Sequence, residues 1–120
     1  MRILVDTNIL LDAMIGREPF YQNADTILHL CASKKIEGYI AAHSIPNMFY
    51  ILRKNYSEED RRAILLGLCQ ILRVEGIDTE KICSALQNSA FSDFEDCLQA
   101  ECAMQHKWIT SFQEIQMILN

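Results

Sequence analysis

The feature that most constrains this chain is an alternation. Four short apolar runs, residues 2–6, 38–42, 72–77 and 107–110, are separated by longer stretches whose apolar residues recur every three or four positions. Strands joined through helical segments pair in parallel, because an antiparallel neighbour needs only a tight turn to return. The pattern predicts an α/β fold, a three-layer α/β/α arrangement with a central parallel sheet covered by helices on both faces.

The helical stretches have recognisable ends. Residues 8–15 place Ile9, Leu10, Ala13 and Met14 on one face and stop at Gly16, and Pro19 opens a second helix that runs to about Ser33 with Ala24, Ile27, Leu28 and Cys31 inward. The Lys34-Lys35 turn leads into the second strand. A third helix from about Ser44 turns Met48, Phe49, Ile51 and Leu52 inward. Ser57 with Asp60 resembles a capping box with Asp in place of Glu, ahead of Ile64, Leu65, Leu68 and Leu72. Asp78 caps a helix carrying Ile82, Ala85 and Leu86, and another opens near Asp93 and runs to Gln105. No segment repeats and none reads as a linker, so residues 1–120 form a single domain.

Composition excludes several classes. Half the residues are hydrophobic and 22% are charged, the balance of a compact globular protein. No apolar run approaches the roughly 20 residues of a membrane span, and the N-terminus lacks a signal-peptide pattern, so the chain reads as cytoplasmic with no membrane partner. Five cysteines, an odd number with no zinc-like spacing, point to reduced thiols at apolar helical positions. A net charge of −5 argues against coating nucleic acid by bulk electrostatics, but leaves room for an acidic site that reaches phosphates through a divalent cation.

The chemistry lies in carboxylates. Asp6 ends the first strand, where open α/β sheets bind ligands, and Asp93-Phe94-Glu95-Asp96 opens a late helix that right-handed crossovers bring to the same edge. Converging carboxylates repel unless a cation neutralises them, and hard oxygen ligands suit Mg²⁺ or Mn²⁺. For Asp93 and Glu95 alone, capping is the commoner role. Asp6, directly after Ile3-Leu4-Val5, is expected partly buried, which costs stability unless something pairs with it. Thr7 and Asn8 either cap the following helix or hydrogen-bond the Asp6 carboxylate. His29, His43 and His106 are scattered, and only His43 follows a strand end on the site edge. Arg53-Lys54 and Arg61-Arg62 fit solvated faces, and Phe49, Tyr50 and Trp108 fit packing better than base stacking.

Together these stretches resemble the PIN-domain family. The resemblance rests on Val5-Asp6-Thr7-Asn8-Ile9-Leu10-Leu11-Asp12, Gly16-Arg17-Glu18-Pro19-Phe20, Glu37-Gly38-Tyr39-Ile40, Asn47 to Lys54, and Asp93-Phe94-Glu95-Asp96-Cys97-Leu98-Gln99, in the family's order from residue 1 to about 110. It implies a parallel sheet of order 3-2-1-4 with a fifth strand, and a Mg²⁺- or Mn²⁺-dependent ribonuclease acting on RNA. It further implies a VapC-like toxin with an antitoxin partner, and a homodimer. Carried over residue by residue, Asp6 and Asp96 match metal-binding aspartates, Asp93 matches a frequent additional acid, and Asn8 and Thr110 match supporting polar positions.

Two departures stand out. Asn47 lies where many members carry glutamate, a neutral residue and a poorer cation ligand. After Trp108-Ile109-Thr110 the family continues with Arg-Asn, a further Asp-Phe and a fifth strand, whereas this chain reads Ser111-Phe112-Gln113-Glu114-Ile115-Gln116 and ends at Asn120 without the fourth acid or the last strand; Glu114 is out of register for that acid. Two or three negative charges suffice for one weakly held Mg²⁺ but not readily for two.

Other phosphate chemistries fit worse. A haloacid-dehalogenase phosphatase needs a second Asp where Asn8 stands, a response-regulator receiver needs paired acids and a late lysine, and four glycines form no phosphate-binding loop. Two readings remain open: a metal-dependent ribonuclease, or a binding module on the same fold with weakened or absent catalysis.

Overall fold

The computed structural model describes residues 1–18, 21–88 and 93–109, with 114 and 117. Strand β1 (Arg2–Val5) leads into helices α1 (Thr7–Ile15) and α2 (Tyr21–Ala32), then β2 (Glu37–Ala41), α3 (Ser44–Ile51), α4 (Glu58–Ile71) and β3 (Arg73–Glu75). Helices α5 (Thr79–Gln87) and α6 (Phe94–Cys102) precede β4 (Lys107–Ile109). Single 3₁₀ turns, Leu52–Lys54 and Ala103–Gln105, extend α3 and α6 over the lengths the periodicity predicts.

The four strands form one parallel sheet in the order β3-β2-β1-β4. Leu4 pairs with Tyr39 on one side and Trp108 on the other. Because side chains alternate across a strand, Ile3 and Val5 enter a large core with α1 to α4, while Leu4 enters a smaller one with Tyr39, Ala41 and Cys102 on the α6 side. Ile3, Leu4 and Val5 are all fully buried, as a strand covered on both faces requires. The fold is thus the predicted three-layer α/β/α arrangement. The expectation about a fifth strand falls within residues 110–120, outside the described residues apart from 114 and 117, and so does Pro19 as a helix start.

Local chemistry sets the element ends. Gly16 closes α1 in the left-handed conformation (φ 72°), which only glycine adopts without strain. At Gly38, a Cβ would lie 2.5 Å from Leu72 Cδ2 and 2.6 Å from Cys31 Sγ, so the absence of a side chain lets α2 and the end of α4 close on β2. Ser57 Oγ accepts the Asp60 N–H at 3.1 Å, and Asp78 Oδ1 accepts the Lys81 N–H at 2.9 Å, both as predicted caps.

Several expectations change. The third strand is shorter than residues 72–77, because Leu72 ends α4 as a buried residue and only Arg73–Glu75 pair with β2. Of Ile82, Ala85 and Leu86, only Ala85 is buried; Leu86 is 66% exposed. Tyr50 is exposed rather than packed, since the guanidinium of Arg53 covers its ring at 3.7 Å. Arg61 donates to the Phe49 carbonyl at 2.8 Å while lying over the Phe49 ring, so it ties α4 to α3 instead of serving a free cationic face. All five cysteines are free, but Cys69 and Cys83 are exposed, leaving three in the core. No helix among the described residues is long and apolar enough to cross a membrane.

Candidate active site

The strand order decides where chemistry can occur. From β1 the chain moves to β2 and β3 on one side, then crosses back to β4 on the other. Between β1 and β4, diverging connections open a crevice beyond the carboxyl ends of the strands, the usual ligand site of such sheets. Asp6 is the first residue beyond β1, and its N–H donates to the Ile109 carbonyl at 3.1 Å, which fixes it at that crevice.

Asp6, rather than Thr7 or Asn8, caps α1: its Oδ2 accepts the Asn8 N–H at 3.1 Å. Asn8 therefore supports Asp6 through its backbone. Thr7 also supports the Asp6 carboxylate through its backbone N–H, while its hydroxyl is buried 2.7 Å from Ser44 Oγ and links α1 to α3. The difference follows from phase. The residue after Asp6 turns into the core, where a hydroxyl needs a partner.

Around the crevice lies a pocket of about 320 Å³. Helix α1 contributes Asn8 and Leu11, α3 contributes Asn47 and Ile51, and α6 with its cap contributes Asp93, Glu95, Asp96 and Gln99. The structure thus gathers Asp6, Asn8, Asn47, Asp93 and Asp96 from positions up to 90 residues apart, as the sequence predicts; Thr110 lies outside the described residues. A larger cleft of about 650 Å³, with Lys34, Lys35 and Arg73 in its wall, lies at the amino ends of the strands and gathers no comparable set of acids.

Electrostatics distinguish the acids. Burial raises the Asp6 pKa, and the negative charge of Asp96 raises it further, against the Asn8 and Thr7 N–H groups and the Trp108 side chain. Burial also raises Glu95, followed by the charges of Asp93, Asp96 and Asp6. Asp93 Oδ1 accepts the Glu95 N–H at 2.7 Å and so caps α6, the role expected of an acid at a helix start.

Asn47 and Glu95, both noted in the sequence, meet here, and Gln99, which the sequence did not single out, joins them. Asn47 Nδ2 donates to Glu95 Oε1 at 2.9 Å, joining α3 to α6 across the pocket. Gln99 is only 3% exposed, and its Nε2 is buried with no hydrogen-bond partner. Helical spacing was the available signal: Gln99 lies four residues after Glu95 and three after Asp96, hence on the same face. His43, flagged by its place after β2, does not line the pocket; its ring nitrogens are buried without partners, and burial lowers its pKa.

The residues suit a hard cation in kind. Oxygen donors dominate, and burial, with a further contribution from neighbouring negative charges, raises two of the acids toward protonation, a cost that a divalent ion relieves. They are not drawn tightly together, since among the described residues no three His, Cys, Asp or Glu side chains form a group able to hold a metal ion.

Comparison with known proteins agrees with this architecture. The PIN-domain family profile matches residues 2–111, and the chain belongs to that family. VapC20 of Mycobacterium tuberculosis, a toxin that cleaves the sarcin-ricin loop, superposes with a TM-score of 0.70 at 15% identity, covering 97% of this chain and 94% of that one. VapBC2 of Rickettsia felis, solved bound to a DNA fragment from its promoter, gives a TM-score of 0.63 at 18% identity, covering 98% and 93%. These likenesses establish the shared fold. No curated protein matches the sequence significantly.

Proposed function

We propose that the protein is a Mg²⁺- or Mn²⁺-dependent endoribonuclease of the PIN type, hydrolysing single-stranded or structured RNA as the toxin of a toxin–antitoxin pair. The observation carrying this reading is the meeting of Asp6 and Asp96 at the sheet's switch point, close enough for the charge of one to raise the pKa of the other.

Asp6 and Asp96 would hold the ion, with Asp93 offering the oxygen its cap leaves over. A bound Mg²⁺ or Mn²⁺ supplies charge neutralisation for a phosphodiester and acidifies a water for in-line attack. The chain's own residues prepare the place. Capping fixes the Asp6 rotamer, Asn8 and Asn47 present neutral polar groups beside the acids, and Leu11 and Ile51 form an apolar wall that limits water. Without a cation the pocket repels RNA, as does the net charge of −5. Binding of an anionic substrate is therefore conditional on the ion.

Purified protein should cleave single-stranded RNA with Mg²⁺ or Mn²⁺, and Asp6→Asn or Asp96→Asn should reduce the rate at least about a hundredfold while leaving the circular dichroism unchanged. Cleavage that survives both substitutions would falsify the assignment. The dispersed acids favour one rival, a binding module without catalysis. That reading is supported by RNA or partner binding with no metal-dependent cleavage.

An antitoxin-like protein and a second copy of the chain are the expected partners. Support for the antitoxin-like partner comes from the VapBC2 likeness. The cytoplasm is the compartment this reading expects, and the free thiols are consistent with it.

A further inference from the structure

Resting on the ribonuclease reading above, we infer that Tyr50, braced by Arg53 and followed by Lys54, is a stacking platform on the pocket rim that receives an unpaired base of single-stranded RNA. The sequence pattern assigns Tyr50 to packing. Its surroundings give it another role. Asn47 and Ile51, one turn apart on α3, line the pocket, while Met48 and Leu52 are fully buried on the core side. Tyr50 comes three residues after Asn47 and so stands beside it, on the flank away from Met48. That places the ring at the rim.

Packing does not account for the ring. Tyr50 is 61% exposed, whereas Phe49 next to it packs against the core, and the Tyr50 hydroxyl has no hydrogen-bond partner among the described residues. Arg53 nevertheless holds it in place. The guanidinium lies 3.7 Å from the ring centroid, and Nη1 donates to the Tyr50 carbonyl at 2.8 Å, so one face of the ring is covered and the other is left open. A ring ordered beforehand loses little freedom when a flat ligand settles on it.

Charge selects that ligand. Arg17, Arg62, Arg73 and Lys81 each face a carboxylate, but neither Arg53 nor Lys54 forms an ion pair among the described residues, in a chain of net charge −5. Unpaired cations beside an exposed aromatic suit a single strand, whose phosphates meet the charges while a base stacks on the ring. A duplex keeps its bases stacked inside the helix, out of reach of Tyr50. One helical turn, roughly 5 Å, separates Tyr50 from Asn47 along α3. A nucleotide stacked at the rim can therefore carry its phosphate into the pocket, and the substrate is RNA unpaired at the cleaved bond.

Stopped-flow anisotropy of a fluorescently labelled single-stranded RNA with the intact chain and Mg²⁺, read before cleavage, measures binding, and steady-state cleavage gives KM and kcat. Tyr50→Ala should weaken binding and raise KM about tenfold with kcat within about threefold, and Tyr50→Phe, which keeps the ring, should stay within about twofold of the unsubstituted chain. Arg53→Ala should cost about fivefold. The same sequence as a duplex should bind more weakly and be indifferent to Tyr50→Ala. Unchanged circular dichroism shows that the exposed ring was not needed for folding. If Tyr50→Ala binds and cleaves the strand like the unsubstituted chain, or loses only a co-purifying protein, this inference is overturned and the nuclease reading stands. Equal losses for Tyr50→Phe and Tyr50→Ala, or for strand and duplex, overturn it as well. A chain that binds the strand through Tyr50 without cleaving it keeps this inference and removes the nuclease reading. If it neither binds nor cleaves RNA, both fall.

Discussion

Two strands of this sheet end in acids that the fold treats in opposite ways. Asp6 follows β1 and Glu75 closes β3, both at the carboxyl edge. Glu75 is neutralised by the chain itself: Lys81 Nζ donates to its Oε1 at 3.0 Å, and His106 Nε2, stacked beside Tyr39, lies 3.1 Å from its Oε2. Burial pushes Glu75 upward, but the His106 and Lys81 hydrogen bonds and charges outweigh it and hold its pKa below the ordinary glutamate range. Around Asp6 the balance is reversed. Burial and the charge of Asp96 outweigh the N–H donors, and the pKa lies above the ordinary range. Glu75 is paired within the protein, whereas Asp6, the proposed ion ligand, is left beside a like charge at a cost to stability.

The largest effect expected to sharpen this contrast is on cleavage. Glu75→Gln should leave metal-dependent RNA cleavage within about twofold of the unsubstituted rate at a temperature where both are folded, set against the roughly hundredfold loss for Asp6→Asn. Equal losses would remove the distinction between the two acids.

Stability should separate them in the other direction. Glu75→Gln lowers the unfolding free energy by about 1–3 kcal/mol, because it leaves Lys81 without its carboxylate and weakens the bond to the nearly buried His106, whose side chain is 2% exposed. Asp6→Asn, in chelator, should raise it. Chemical denaturation at neutral pH measures both.

The pH dependence follows from the two directions. Raised acids such as Asp6 and Glu95 destabilise the fold when ionised, so that penalty is present at neutral pH and disappears as pH falls through their folded pKa values toward 3.8 and 4.5. The advantage of Asp6→Asn in EDTA should therefore shrink between pH 7 and about 4. Glu75 contributes stability above its unfolded value of 4.5, lost as pH falls through its lower folded pKa, so the deficit of Glu75→Gln should persist at pH 5 and fade only below about 4.5. Melting curves that shift in parallel for both variants would show that the two environments do not differ as described.

The smallest effect concerns the neighbour of Asp6. Thr7→Val removes the buried hydroxyl pair with Ser44, which joins α1 to α3, and should cost about 1 kcal/mol in the same denaturation experiment. Adjacent residues would then move stability in opposite directions, Asp6 because it serves the pocket and Thr7 because it serves the fold.

Much of this was legible beforehand. Short apolar runs and helical spacing gave the three layers, and Gly16, Ser57 and Asp78 marked helix ends because caps are local events involving residues within four positions. Asp6, Asp93 and Asp96 were identified as the acids of one edge, since parallel crossovers leave few alternatives. The same local logic misplaced Tyr50 and did not foresee the bond between the Thr7 hydroxyl and Ser44. Amphipathic spacing cannot tell whether an aromatic is covered by a core or by an arginine, nor which residue after a strand turns inward.

The sequence by itself determined that this chain builds a parallel sheet with carboxylates at its carboxyl edge, because hydrophobic period and capping chemistry act over a few residues. Only the tertiary structure decided which acids are paired. Glu75 meets His106, and Glu95 meets Asn47, across 31 and 48 residues. Coulombic repulsion and hydrogen bonding depend on ångström distances that local pattern does not encode.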